Sequence, residues 1–245
     1  MTRLDRIRAR LEWRLWPDRM LAEAQPTPDP NLEAVYLKRG IVLIHIPKNA
    51  GTSVEDALYG YRVRHRTWRE LRASCPRAWA TLPKVAILRE PVERFLSAYD
   101  YLRAGGRNRL DRTFGMLLVG DDPIDALTAR MTTDASFRRH AMSYFHFRPQ
   151  SDFVCDDGKP VVDHLIPKPR MAAELQRVAG LPPGALEHKN RSTGPRTSRA
   201  ALSDGVIDRI RTLYRADGEL YDDACAAPPD IRAAEVRADP TSRPQ

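Results

Sequence analysis

Hydrophobic positions along the 245-residue chain fall into short continuous runs separated by stretches of helical spacing. The run Ile41-Val42-Leu43-Ile44-His45-Ile46 is almost wholly apolar, as expected of a strand buried on both faces of a parallel sheet. A second such run is Lys84-Val85-Ala86-Ile87-Leu88. Between them, Pro47 to Gly51 reads as a turn and Thr52 to about Tyr59 as a helix, with Val54 and Leu58 one turn apart. Pro91 stands where a first helical turn accepts proline, because its missing N–H would be unpaired there anyway. The helix it opens gathers Val92, Phe95, Leu96 and Tyr99 on one side and ends near Gly105-Gly106. Residues 107–150 are weakly helical and rich in arginine, and no order of elements emerges from them. Residues 151–166 read as a hairpin around Asp157-Gly158 and a returning strand at His164-Leu165-Ile166. Helices are expected at 169–179, on Met171, Leu175 and Val178, and at 203–215, with Ser203 as N-cap before Val206, Ile207, Ile210, Leu213 and Tyr214.

Strands alternating with helices imply an α/β domain with a mainly parallel sheet, assigned here to residues 33–225. Residues 25–32, with Pro26, Pro28 and Pro30, read as a linker. Ahead of it, residues 1–24 place Leu4, Ile7, Leu11 and Leu15 at helical spacing among six arginines, with Trp13 and Trp16 alongside. Such a basic amphipathic helix docks on the domain or a second subunit, or lies on an anionic membrane surface as a peripheral contact. The tail, 226–245, is rich in Ala, Pro and Arg and is expected to be disordered.

Charge narrows the partners. A net charge of +8 suits an anionic ligand: nucleotide phosphates, an acidic glycan, nucleic acid or a membrane surface. The aromatics that single-strand readers interleave with basic residues are sparse, so a nucleic-acid partner is not expected. Three widely spaced cysteines, Cys75, Cys155 and Cys225, include no CxxC pair, so reduced thiols in a cytoplasmic protein are expected, and no metal site. No apolar run approaches the ~20 residues of a membrane span.

Two segments carry chemistry. In His45-Ile46-Pro47-Lys48-Asn49-Ala50-Gly51-Thr52-Ser53 a strand, a tight turn and a helix present backbone N–H groups to an anion, and the helix dipole adds roughly half a positive charge. Gly51 lets the backbone approach closely, Thr52 and Ser53 add hydroxyls, and Lys48 adds a mobile cation. A nucleoside-triphosphate loop, GxxxxGK[ST], has its lysine after the last glycine; here the lysine precedes it. The second segment is Leu88-Arg89-Glu90-Pro91-Val92-Glu93-Arg94-Phe95-Leu96-Ser97. Arg89 leaves the carboxyl end of a strand, where ligands of open α/β sheets bind, and its forked guanidinium suits a phosphate. Ser97 lies about two turns into the next helix. Arg94 reads as a neighbouring surface cation or as the partner of Glu90 or Glu93. A kinase would place a magnesium-holding carboxylate near this strand end.

The first segment resembles the 5′-phosphosulfate-binding loop of carbohydrate sulfotransferases, and the second resembles the 3′-phosphate-binding motif of the same family, in the same order. His65 and Trp68, the segment His146-Phe147-Arg148-Pro149-Gln150, Lys189-Asn190-Arg191-Ser192 and the stretch from Leu202 to Tyr221 resemble further segments of Golgi-type and heparan sulfate 2-O-sulfotransferase-like members and their bacterial relatives. The resemblance covers roughly residues 36–222. It implies a P-loop-like three-layer domain that moves a sulfuryl group from 3′-phosphoadenosine 5′-phosphosulfate to a hydroxyl of a glycan or glycolipid, with no metal. Pro47 to Ser53, Arg89 and Ser97 would hold the donor, with Lys189 and Arg191 closing over the 3′-phosphate or gripping an acidic acceptor. Lys48 would neutralise the charge developing on the bridging oxygen. A histidine suits the general base near neutral pH. His65 is the first candidate because relatives carry a functional histidine in that region; His146 comes second and Glu55 third. His45, inside a strand, reads as a hydrogen-bonded core residue. The alternatives are a metal-dependent nucleotide or small-molecule kinase and a non-catalytic module binding nucleic acid.

Overall fold

The computed structural model describes residues 27–186 and 196–228. The basic helix expected at 1–24, most of the expected tail, and Lys189, Asn190, Arg191 and Ser192 therefore lie outside the described residues.

The chain is a mixed α/β domain built on a small parallel sheet. Strands β1 (Val42–Ile44), β2 (Lys84–Leu88) and β5 (His164–Pro167) lie in the order β1-β2-β5, with β2 in the middle. Ile44 pairs with Ala86 across the first ladder, and Leu88 pairs with Pro167 across the second. All three strands run the same way, so all three carboxyl ends open on one edge. The apolar runs explain this core: Val42 to Ile44 and Val85 to Leu88 are all buried. Strands β3 (Cys155–Asp156) and β4 (Lys159–Pro160) form the hairpin around Asp157-Gly158, with both turn residues at positive φ.

Helix α1 (Pro30–Arg39) begins inside the segment read as a linker. Asp29 accepts from the Leu32 amide as N-cap, Pro30 fills the first turn, and left-handed Gly40 closes the helix. Helix α2 (Gly51–Tyr59) follows the first loop, and α3 (Trp68–Ser74) and α4 (Pro76–Thr81) complete the crossover to β2. Helix α5 (Pro91–Arg103) leaves β2. The arginine-rich middle region is helical: α6 (Arg109–Phe114) running into a π turn at Gly115–Val119, then α7 (Ile124–Thr133) and α8 (Ala135–Ser143). The short α9 (Ser151–Val154) precedes the hairpin. After β5 come α10 (Met171–Ala179), α11 (Asp204–Leu213) and α12 (Arg215–Ala226). Ser203 stands at the N-cap position of α11, but its side chain does not cap; only its carbonyl receives the Val206 and Ile207 amides.

The buried apolar residues form two clusters. One gathers the strands with Leu32, Tyr36, Val54, Leu58 and Leu71. The other contains no strand residue and joins α5 to the middle helices and α11 through Phe95, Leu102, Phe114, Met131, Phe147 and Ile210. Phe145 packs against both. Among the described residues no helix is long and apolar enough to cross a membrane. Cys75 and Cys155 are buried, Cys225 is half-buried, and all three are free thiols.

Candidate active site

The carboxyl ends of the three strands bring together the two chemical motifs and a third cation. From β1 the chain enters the loop Pro47–Ala50, in which Lys48 and Ala50 both adopt left-handed φ, +72° and +65°. Non-glycine residues rarely accept this conformation, and such strain concentrates where a backbone must be shaped for a ligand. The loop is held from beneath. Asn49 is buried and donates through Nδ2 to the Ile87 carbonyl and to Gln150 Oε1, both at 2.6 Å. Arg94 Nε donates to the Pro47 carbonyl at 3.1 Å, and Arg89 Nη1 donates to the Lys48 carbonyl at 3.2 Å. Helix α2 then starts at Gly51 with no capping side chain and no acid in its first turn. Thr52 and Ser53 are half-buried in that turn. An uncapped helix start keeps N–H groups for an anion.

Gly51 has a neighbour that sequence reasoning did not foresee. A Cβ at this position would lie 2.0 Å from Cδ2 of His45. The His45 ring cannot move aside cheaply, since Nδ1 is 2.7 Å from Glu55 Oε1 in a buried pair. Glu55 also accepts from the Arg64 amide at 2.9 Å and from Arg62 Nη1 at 3.4 Å. Burial pushes this carboxyl up, but the bonds from His45, Arg62 and Arg64 outweigh it and hold the carboxyl below its ordinary value. Glu55 is thus a fully engaged structural carboxylate.

Arg89, the first residue beyond β2, is fixed by Gln150 on both sides of its own peptide: its N–H donates to Oε1 and its carbonyl accepts from Nε2. Its Nη2 lies 3.4 Å from Glu93 Oε2. Ser97 follows Glu93 by one helical turn and is half-buried. Arg94 is not a surface cation: it is 2% exposed, with Nη2 buried and unpartnered. It lies close enough to Asp217 to feel its charge, and Asp217 in turn accepts from the Gln150 and Ser151 amides. The loops after β1 and β2 and the segment before α9 are therefore one braced unit.

Lys168 is the residue sequence reasoning missed here. Leu88 and Pro167 are register partners, so Arg89 and Lys168 leave adjacent strands side by side. Burial depresses the Lys168 ammonium first, and the charge of Arg89 and then Arg196 adds to this, with Glu93 opposing. The usable signal was the strand end itself: once the last strand is placed at 164–166, the next polar residue faces the ligand edge.

Two histidines meet the loop. His65 Nδ1 lies 3.2 Å from the His45 carbonyl, which can only accept, so Nδ1 carries the proton and Nε2 keeps its lone pair. The ring stacks on Phe145 and meets His45 edge-on at a 4.2 Å centroid distance. Desolvation of the ring, then the neighbouring His45, lowers its pKa to about 3; the bond to the His45 carbonyl opposes this, and His146 and Lys48 add to it. His146 is buried, with Nε2 3.2 Å from Asp111 Oδ1 and Nδ1 unpartnered. Burial lowers its pKa to about 4 although Asp111 opposes. Asp111 also receives the hydroxyls of Tyr101 and Tyr144 and the Arg107 amide. Burial alone would raise its carboxyl; these bonds bring it well below the usual range.

Chemically, the edge offers Lys48, Arg89 and Lys168 on three adjacent loops, an uncapped helix start, and a neutral histidine. Such a set suits a polyanion. Among the described residues no group of His, Cys, Asp or Glu is arranged to hold a metal ion. Comparison with protein-family models, with curated proteins and with solved structures finds no match to this chain.

Proposed function

We propose that the chain is a sulfotransferase of the carbohydrate type, taking a sulfuryl group from 3′-phosphoadenosine 5′-phosphosulfate to a hydroxyl of a glycan or glycolipid. The reading includes a P-loop-like layered domain and a cytoplasmic or membrane-peripheral setting. The observation that carries it is the direct bond between the two motifs, from Arg89 Nη1 to the Lys48 carbonyl. A loop suited to one phosphate and a strand end suited to another are thereby held at fixed separation, as a ligand with both 5′ and 3′ phosphates requires. The cation at the second strand end, where a kinase would hold magnesium through a carboxylate, supports the same choice.

The residues divide the work. The loop amides, Thr52, Ser53 and Lys48 would hold the phosphosulfate; Arg89, Lys168 and Ser97 would hold the 3′-phosphate, joined by Lys189 and Arg191 from outside the described residues. Transfer is an in-line displacement in which the acceptor oxygen bonds to sulfur while the bond from sulfur to the bridging oxygen breaks. Lys48 stabilises the charge on the departing bisphosphate, and positioning supplies most of the remaining catalysis. His65 is the candidate to take the hydroxyl proton: its ring is neutral at pH 7, Nε2 keeps its lone pair and the residue is exposed, although the lowered pKa makes it a weak base in the free chain. His146 is enclosed and bonded to Asp111, which suits it to support rather than to proton transfer.

Thermal shift with three ligands tests the reading, because a ligand bound to the native state raises the melting temperature with concentration. Adenosine 3′,5′-bisphosphate is expected to raise it, whereas ATP with magnesium and an oligonucleotide are not. A shift with ATP and magnesium alone would overturn the proposal. His65→Ala is expected to abolish transfer while the bisphosphate shift survives; near-normal transfer would remove His65 from its role.

A further inference from the structure

Among the described residues Lys48 lacks the usual partner of an ammonium and forms no ion pair; its Nζ instead lies 3.8 Å from the centroid of the Tyr101 ring. The charged groups acting on it are Arg89, Arg107 and Arg94, which repel it, and Asp111, which attracts it. His65 and His146 are close enough to feel its charge.

The ring beneath Lys48 is anchored from its far end. Tyr101 stands in the last turn of α5, its hydroxyl donates to Asp111, and it accepts from the Arg107 amide at 3.0 Å. Asp111 is itself fixed by Tyr144, His146 and Arg107. Room for this carboxylate comes from Gly106, where a Cβ would lie 2.1 Å from Cβ of Asp111. The anchor is built from α5, α6 and the segment after α8, and the same α5 reaches the Lys48 loop through Arg94 on the Pro47 carbonyl.

We propose that Tyr101 is a positioning residue for Lys48, an aromatic seat that holds the ammonium beside the loop without neutralising it, with Asp111 fixing the seat. The role of Lys48 toward a ligand rests on the sulfotransferase reading; the seat does not. A carboxylate at ion-pair distance would compete with an incoming anion. A ring face attracts a cation by about 0.5–2 kcal/mol, enough to orient it and little enough to be surrendered to a phosphosulfate oxygen. The ring also screens the ammonium from water. Burial, followed by Arg89 and Arg107, lowers the Lys48 pKa to about 8.

The test is the pH dependence of Lys48 acetylation by acetic anhydride in the full chain, read by peptide mass spectrometry. Tyr101→Phe keeps the ring but loses its bond to Asp111, so its midpoint is expected to lie between those of the wild type and Tyr101→Ala. In Tyr101→Ala the loss of the ring's attraction lowers the midpoint by up to about 1.5 pH units, but water reaching the ammonium removes the larger cost of burial, so a net rise of about one pH unit toward the ordinary lysine value is expected. Tyr101→Leu replaces the alanine variant should that one not fold. A midpoint that stays or falls overturns the proposal, as does a Phe variant that behaves like Ala. In transfer assays Tyr101→Ala should lose roughly tenfold or more in kcat with the affinity for adenosine 3′,5′-bisphosphate changed less than about threefold. A raised acetylation midpoint in a chain that binds no bisphosphate upholds the seat and sinks the sulfotransferase reading instead.

Discussion

Arg89 Nη1 donates to the backbone carbonyl of Lys48 across 3.2 Å, so the residue leaving the second strand holds the loop leaving the first. The other arm of the same guanidinium rests on Glu93 at 3.4 Å. One arginine thus braces the cradle while a half-exposed carboxylate occupies the face that a phosphate would approach.

Glu93 should therefore compete with the ligand. Glu93→Gln is expected to tighten binding of adenosine 3′,5′-bisphosphate about two- to fivefold, the range set by a partly exposed ion pair of roughly 0.4–1 kcal/mol. Isothermal titration at fixed salt measures it. An unchanged or weaker affinity would mean that the carboxylate orients Arg89 for the ligand rather than opposing it.

Lys168 should act on one phosphate only. Lys168→Ala is expected to weaken adenosine 3′,5′-bisphosphate roughly tenfold and to leave adenosine 5′-monophosphate within about twofold. Equal loss for both ligands would place Lys168 elsewhere than beside Arg89 in the binding event.

Gly51 should be intolerant of even one methyl group. Gly51→Ala drives Cβ into the His45 ring, which Glu55 prevents from swinging away, so a loss of about 1–3 kcal/mol is expected in urea unfolding. Its neighbour provides the contrast. Ala50→Gly relieves a left-handed φ of +65° and should be neutral or stabilising by up to ~1 kcal/mol. Equal effects at the two positions would contradict the contact with His45.

Acid should weaken the fold through His146. Its folded pKa of about 4 lies below the value of 6.5 it takes when unfolded, so the unfolded chain binds the extra proton first. The stability it contributes is complete above pH 6.5 and is lost as pH falls toward about 4. Asp111 extends the loss further down, because a depressed carboxylate stabilises above its unfolded value of 3.8 and ceases to as it is protonated. Urea midpoints for His146→Gln should depend less steeply on pH between 7 and 5 than those of the wild type; an unchanged slope would refute the assignment.

The strands and the helices beside the two motifs were legible because a buried parallel strand is a continuous apolar run and cannot be mistaken for a surface. Lys84–Leu88 and the helix opened by Pro91 follow the sequence closely. Helix α1 was hidden by its prolines: Asp29-Pro30 is a capped helix start, yet in a row of alternating prolines it reads as a linker. Thr67 and Glu70 form a full capping box at α3, a signal present in the sequence ahead of a helix of only seven residues. The middle region resisted for another reason. The π turn at Gly115–Val119 inserts a residue into the helical period, and Gly115 is needed there because a Cβ would lie 2.3 Å from the Leu102 carbonyl.

At the site, the sequence pointed to Lys48 and Arg89 because strand ends and turn chemistry are local. It could not show what meets them. Asp111 and Tyr101 come from distant segments that nothing local marks, and Gln150 closes a segment singled out by resemblance alone. Arg94 illustrates the limit: a charge one turn into a helix reads as surface, but the Pro47 carbonyl and the nearby Asp217 make its burial tolerable.

The two apolar clusters also have a bearing on how the domain breathes. Lys48 follows strand β1, which packs in the strand-bearing cluster, while Tyr101 packs against the cluster made only of helices. A ligand gripping both Lys48 and Ser97 would act as a clasp across the seam, so amide exchange should slow in helices that never touch it.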